Sequence, residues 1–266
     1  MSEQVFKIIP KLRGFLITYI IFSLPGFFMS VIFLGLTIFL ILGLVFSSFS
    51  DPNNLKMVVS RESDNKDGVL IYDLSGAITS DPNGSGISVP KVEKDFMEIK
   101  KNPNIKNVVF RINSGGGEVF ASQVLGDLMT DLSKSLNQTE TVFYFNEVAA
   151  SGALMATYSV PNNYVIAHPR GETGSIGVLL VLPNLTEAAE KIGYKQTVIK
   201  TGDLKNAGDI FQPTNGVEMK YFQTSVDKSF KDFKETVAKG RNINISEVEK
   251  IATGEFQRNC QRKEIN

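Results

Sequence analysis

Between Phe15 and Phe46 no position is charged, and 27–46 alone supply about 20 apolar-dominated positions, enough for a helix across a ~30 Å hydrocarbon core. Pro25-Gly26 splits the run and leaves Phe15 to Leu24 too short to span, so the pattern predicts a kinked or interfacial lead-in followed by one crossing. Lys7, Lys11 and Arg13 precede the run, whereas serines and Asp51 follow it, which puts the N-terminus in the cytoplasm and the rest outside. A cleaved signal peptide is the competing reading, but the run is far longer than a usual signal core and no clear A-x-A site follows. The expected organisation is a cytoplasmic N-terminus over 1–14, a membrane segment over 15–46, a polar tether over 47–66 with one short strand at Lys56 to Ser60, and an extracytoplasmic domain over 67–266.

Beyond the tether, short apolar or β-branched runs alternate with helical patterns. Strands are predicted at Gly68 to Leu74, Asn107 to Ile112, Thr141 to Asn146, Tyr164 to Ala167, Ile176 to Leu182 and Gln196 to Lys200. Val119 to Leu136 is amphipathic, and Phe222, Val226, Phe230, Phe233 and Val237 recur at helical spacing to mark one buried face of a long helix ending near Gly240. This alternation argues for an α/β domain whose strand ends carry the site.

Composition narrows the chemistry. Lys+Arg and Asp+Glu number 28 each, so no global field favours nucleic acid. Cys260 is the one cysteine and His168 the one histidine, which removes an intrachain disulfide and most His- or Cys-rich metal centres. No metal or other cofactor is implied.

Two small-residue turns follow predicted strands. In Asn113-Ser114-Gly115-Gly116-Gly117 the glycines stand between a strand and an amphipathic helix, where backbone amides can point at an anion or oxyanion; glycines at a strand end are more often plain turn formers, and no G-K-[ST] follows to make a phosphate loop. In Val148-Ala149-Ala150-Ser151-Gly152-Ala153 a serine flanked by tiny residues opens a helix-compatible stretch, Leu154 to Ser159. Such a serine is either an ordinary helix cap or a nucleophile with little steric cover. A nucleophilic serine needs a base. His168 is one candidate; Lys205, in the loop Thr201-Gly202-Asp203-Leu204-Lys205-Asn206-Ala207-Gly208, is another, since a lysine whose pKa is lowered toward ~7–8 can serve, although a lone lysine is by default a solvated charge.

The set N-S-G-G-G at 113–117, V-A-A-S-G-A at 148–153, T-G-S-I-G at 173–177 and T-G-D-L-K-N-A-G at 201–208, in this order and spacing, resembles the signal peptide peptidase A family, which is related in fold to the Clp proteases and crotonases. The resemblance runs from about Gly68 to Glu255. It implies a Clp/crotonase-like α/β domain and a Ser/Lys dyad with Ser151 as nucleophile and Lys205 as base. It further implies that Ser175 orients the lysine, that the Gly117 and Gly152 amides form the oxyanion hole, and that the chain is a homo-oligomer in which serine and lysine can come from neighbouring subunits. Peptides are then the substrates, with remnant signal peptides or other extracytoplasmic peptides at a membrane the expected targets. Gly115 replaces the family's usual proline, Ala153 replaces a second glycine, and 257–263 departs from the family's C-terminal pattern. A Ser151/His168 hydrolase, a crotonase-like acyl-CoA enzyme and a non-catalytic scaffold are the rival readings.

Overall fold

The computed structural model describes residues 68–258 together with the two-residue strand at 55–56, all within one compact unit, Asn54–Asn266. In chain order the elements are β1 (Leu55–Lys56), β2 (Gly68–Ser75), β3 (Ile78–Thr79), β4 (Ile87–Ser88), α1 (Val89–Lys101), β5 (Ile105–Ser114), α2 (Val119–Ser135), β6 (Thr141–Ala150), α3 (Gly152–Ser159), β7 (Asn163–Ala167), β8 (Glu172–Gly174), α4 (Thr186–Lys191), α5 (Gly216–Arg241), α6 (Ile245–Ile251) and β9 (Phe256–Arg258).

A seven-stranded sheet runs β1-β2-β5-β6-β8-β9, with β7 also paired to β6. Its centre is parallel and its two edge strands, β1 and β9, are antiparallel. Parallel neighbours need crossovers, which α1, α2 and α3 supply. Leu70, Tyr72 and Leu74 of β2, Val108, Phe110 and Ile112 of β5, and Phe143 and Phe145 of β6 alternate inward to meet Phe96 of α1 and Leu125, Met129 and Leu132 of α2. The rings of Tyr72 and Phe96 meet edge-on at 5.0 Å, and those of Phe110 and Phe143 stack at 5.3 Å, so aromatic contact ties α1 to β2 and β5 to β6.

β6 changes partner along its length. Residues 141–145 pair with β7 and 148–150 with β8, while its register against β5 jumps from Ile112↔Phe145 to Ser114↔Ala149. The extra residues on β6 bend its end, and Asn113 fills the gap by accepting the Val148 amide at its Oδ1 over 3.2 Å. This bend directs the strand end into α3, every residue of which except Ser159 is buried.

Three expectations need correction. Among the described residues no helix is long and apolar enough to cross a membrane. The longest, α5, is long enough at 26 residues, but Lys220, Asp227, Lys228, Lys231, Asp232 and Lys234 break any apolar window. Among the described residues the fold class is therefore corrected to an α/β domain with no transmembrane helix, and the membrane anchoring, the membrane as partner and the single-pass cell-membrane placement are corrected with it. The run over 15–46 on which they rested lies outside the described residues. Second, 176–182 and 196–200 form no strands, because neither finds a ladder partner among the described residues; Leu179, Val181 and Ile199 stand 81%, 72% and 95% exposed. Third, the apolar stripe of α5 is buried only at Phe233 and Val237, with Phe222, Val226 and Phe230 half-covered.

Candidate active site

Ser151 stands between β6 and α3 with φ 50° and ψ −125°, a conformation L-residues rarely adopt. A capping serine would have extended backbone and a side chain bonded to the next turn; Ser151 has neither, and no side-chain cap is made at this helix. Such a backbone costs about 1–3 kcal/mol, and it persists only where the surroundings fix it. Here the Ser151 amide donates to the Gly174 carbonyl over 3.0 Å, and its carbonyl accepts the amides of Leu154 and Met155 at 2.9 and 3.1 Å. Thr173 Oγ1 donates to the Ala149 carbonyl over 2.8 Å just upstream.

The glycine turn lies against this elbow. A β-carbon at Gly116, whose φ is +99°, would sit 2.6 Å from the Gly152 nitrogen and 2.8 Å from Ser151 Cβ; one at Gly152 would sit 2.2 Å from Ser122 Oγ and 3.1 Å from the Gly117 nitrogen. Only glycine permits so close an approach of two chain segments. Among the described residues neither the Gly117 nor the Gly152 amide has a backbone acceptor, while the Gly116 amide is satisfied by Ser114 Oγ at 3.1 Å. Two unused donors on adjoining turns beside a serine hydroxyl are what a developing oxyanion requires.

The cleft over these turns encloses about 460 Å³ and is lined by Ser151, Gly152, Gly117 and Ser175 with Val119, Met155, Val178 and Phe233 among its walls. Ser175 follows β8 in a left-handed conformation, φ 49°, and its amide donates to the Glu255 carbonyl over 2.6 Å. The fold thus brings four of the five expected site residues together. Lys205 is placed elsewhere: it is exposed on the turn 201–208 and does not line the cleft. His168 is exposed after β7 and accepts the Arg170 amide at its Nδ1, and it does not line the cleft either. Among the described residues no cluster of three His, Cys, Asp or Glu could hold a metal ion.

Glu118 was not among the expected site residues. It occupies the N-cap of α2, yet its carboxylate caps nothing and instead accepts from Thr79 Oγ1 at 2.7 Å, from the Ser80 amide at 3.0 Å and from Ser80 Oγ. The hydrogen bonds from Ser80 and Thr79 hold its acid below the usual glutamate range. The signal that could have marked it is a Glu where Ser, Thr, Asp or Asn would normally cap.

Residues 136–261 match the profile of peptidase family S49. A protein of Methanocaldococcus jannaschii named a putative protease is 33% identical over 180 residues, covering 65% of this chain and 56% of that protein. A similarly named protein of Synechocystis is 33% identical over 182 residues, covering 68% and 61%. The chloroplastic serine protease SPPA of Arabidopsis thaliana is 28% identical over 197 residues, covering 71% of this chain and 28% of that protein. The chain therefore spans less than two thirds of these relatives' own length. The profile match contains Ser151, Gly152, Ser175 and Lys205, the relatives extend the likeness to about two thirds of the chain, and over 136–261 the chain matches peptidase family S49.

Proposed function

We propose that the chain is a serine peptidase in which Ser151 Oγ attacks the peptide carbonyl, the Gly117 and Gly152 amides receive the oxyanion, and Lys205 of a neighbouring copy is the general base. The observation that carries this reading is the backbone of Ser151, φ 50° and ψ −125°, at a strand-to-helix elbow beside two unused amides. The names of the relatives support peptide hydrolysis as the chemistry.

The neutral Lys205 amine takes the Ser151 proton as Oγ bonds to the carbonyl carbon; the tetrahedral intermediate collapses, and the lysine returns that proton to the leaving amine. A water, deprotonated by the same amine, then attacks the acyl ester; the acyl–Oγ bond breaks, the acid leaves, and the lysine passes the proton to Oγ, restoring both Ser151 and the amine. Ser175, in the cleft wall and held by the Glu255 carbonyl, orients the lysine amine. The placement of Lys205 on an exposed turn outside the cleft supports its supply by a second copy rather than by the same chain.

Mixing separately inactive Ser151→Ala and Lys205→Ala chains tests the reading. Sites assembled from one intact serine and one intact lysine restore part of the peptidase activity if the dyad is shared between copies. A mixture as inactive as its parts, when both variants assemble normally, contradicts a shared dyad.

A further inference from the structure

We infer that Glu118 is a positioning residue for the Gly117 amide: its carboxylate latches β3 across the glycine turn and so fixes the direction in which that amide points. The inference rests on the oxyanion role proposed for Gly117. Three successive glycines, 115–117, give this turn more backbone freedom than any other residues would, so its geometry must be imposed from outside.

β3 imposes it. The Ile78 amide donates to the Gly116 carbonyl over 2.9 Å and the Ile78 carbonyl accepts the Glu118 amide at 3.0 Å, so Ile78 grips the chain on both sides of Gly117. A β-carbon at Gly117 would lie 2.0 Å from the Ile78 oxygen, which shows how directly the strand rests on the turn. Yet β3 is two residues long and, beyond this bridge to the turn, pairs among the described residues only with the two-residue β4, too little ladder to hold itself.

The Glu118 side chain supplies the missing constraint. Its two oxygens take up Thr79 Oγ1, the Ser80 amide and Ser80 Oγ, the residues that directly follow Ile78. Bonds to an ionised acceptor are the stronger kind, and these span 38 and 39 positions of sequence. The latch is continued by the Asp81 amide, which donates to Thr79 Oγ1 over 3.1 Å. Glu118 takes part in no ion pair among the described residues, so this contact is the one its carboxylate makes.

The experiment compares the full-length chain with Glu118→Ala and Glu118→Gln by two readouts. Amide hydrogen exchange at Ile78 and at position 118 reports the latch, with Phe110 and Phe143 in the sheet centre as internal references. Steady-state hydrolysis of an unstructured peptide reports the aim of Gly117. In Glu118→Ala the two latch amides exchange at least about tenfold faster with the references unchanged, and kcat falls about tenfold at constant KM, since an oxyanion donor acts on the transition state. Glu118→Gln keeps an acceptor for the Ser80 amide and falls between. Unchanged exchange at Ile78 overturns the latch, and faster exchange with unchanged kcat overturns its link to Gly117. A fall in kcat accompanied by faster exchange at Phe110 and Phe143 reduces Glu118 to a merely structural residue. If the wild-type chain shows no Ser151-dependent hydrolysis, the proposed function fails, and the exchange result alone decides whether Glu118 orders the turn.

Discussion

The amide of Ser151 donates to the carbonyl of Gly174 over 3.0 Å, so the nucleophile elbow is fastened to the strand that ends in Ser175. This bond continues the ladder between β6 and β8 by one residue past Ala150↔Gly174 and places the two serines on adjoining strand ends. Their relation is set by backbone pairing, which side-chain replacement leaves intact. Loss of activity on changing either hydroxyl can then be assigned to chemistry rather than to a rearranged turn.

The approach of Gly152 to Ser122 makes a paired prediction. Gly152→Ala puts a methyl 2.2 Å from Ser122 Oγ and is expected to lower kcat/KM by at least about a hundredfold, because the displaced residue is also an oxyanion donor. Ser122→Gly removes the obstructing atoms, so the double variant should regain part of the loss. Steady-state kinetics on the four chains checks this; a double variant no better than Gly152→Ala shows that the Gly117 nitrogen, 3.1 Å away, is the real obstacle.

Ser175 separates strain from chemistry. At φ 49°, Ser175→Gly relieves an unfavourable conformation and should stabilise the fold by up to about 1 kcal/mol, whereas Ser175→Ala keeps the strain. Both lose the hydroxyl, and both should lose rate to a similar extent, about tenfold, by impaired orientation of the base. Thermal melting read beside initial rates distinguishes the two effects, and wild-type rates in either variant would remove Ser175 from the site.

Tyr72 gives the domain an alkaline limit. Burial, then the hydrogen bond it donates to Asp95 at 2.6 Å and the charge of that carboxylate, raise its pKa well above the usual tyrosine value. With the folded pKa raised, the stabilisation is fully present below the unfolded value near ~10 and is lost as pH rises beyond it toward the folded pKa. Tyr72→Phe should cost about 1–2 kcal/mol at neutral pH. The gap between the two chains should narrow above pH ~10, where ionisation penalises only the wild type. Urea unfolding at a series of pH values measures it, and a gap that stays constant or widens contradicts the assignment.

The paired strands of the core were legible because burial on one face leaves an apolar run or alternation: β2, β5 and β6 begin or end within a few residues of their predicted bounds. The same signal misled at 176–182 and 196–200, since β-branched composition reports a suitable surface and says nothing about whether a partner strand lies beside it. α1 was readable in principle, as Val89, Val92, Phe96 and Ile99 recur at spacings of three and four and are all buried. The turns around Ser151 were visible as words, but their contact was not: Glu118 with Ser80, and Gly116 with Ser151, depend on pairings some 35 or more positions apart that local pattern cannot encode. Nor could spacing reveal that Lys205 stands outside the cleft while the other four residues share it.

Everything proposed for this site depends on Ser151 being the nucleophile of a peptidase. Hydrolysis of an internally quenched peptide by the wild-type chain and by Ser151→Ala, at equal concentrations of folded protein with the same assembly state, tests it most directly. The elbow geometry predicts rates for Ser151→Ala at the uncatalysed background while its melting temperature stays equal to or above wild type. Cleavage by Ser151→Ala at the wild-type rate would show that another group is the nucleophile.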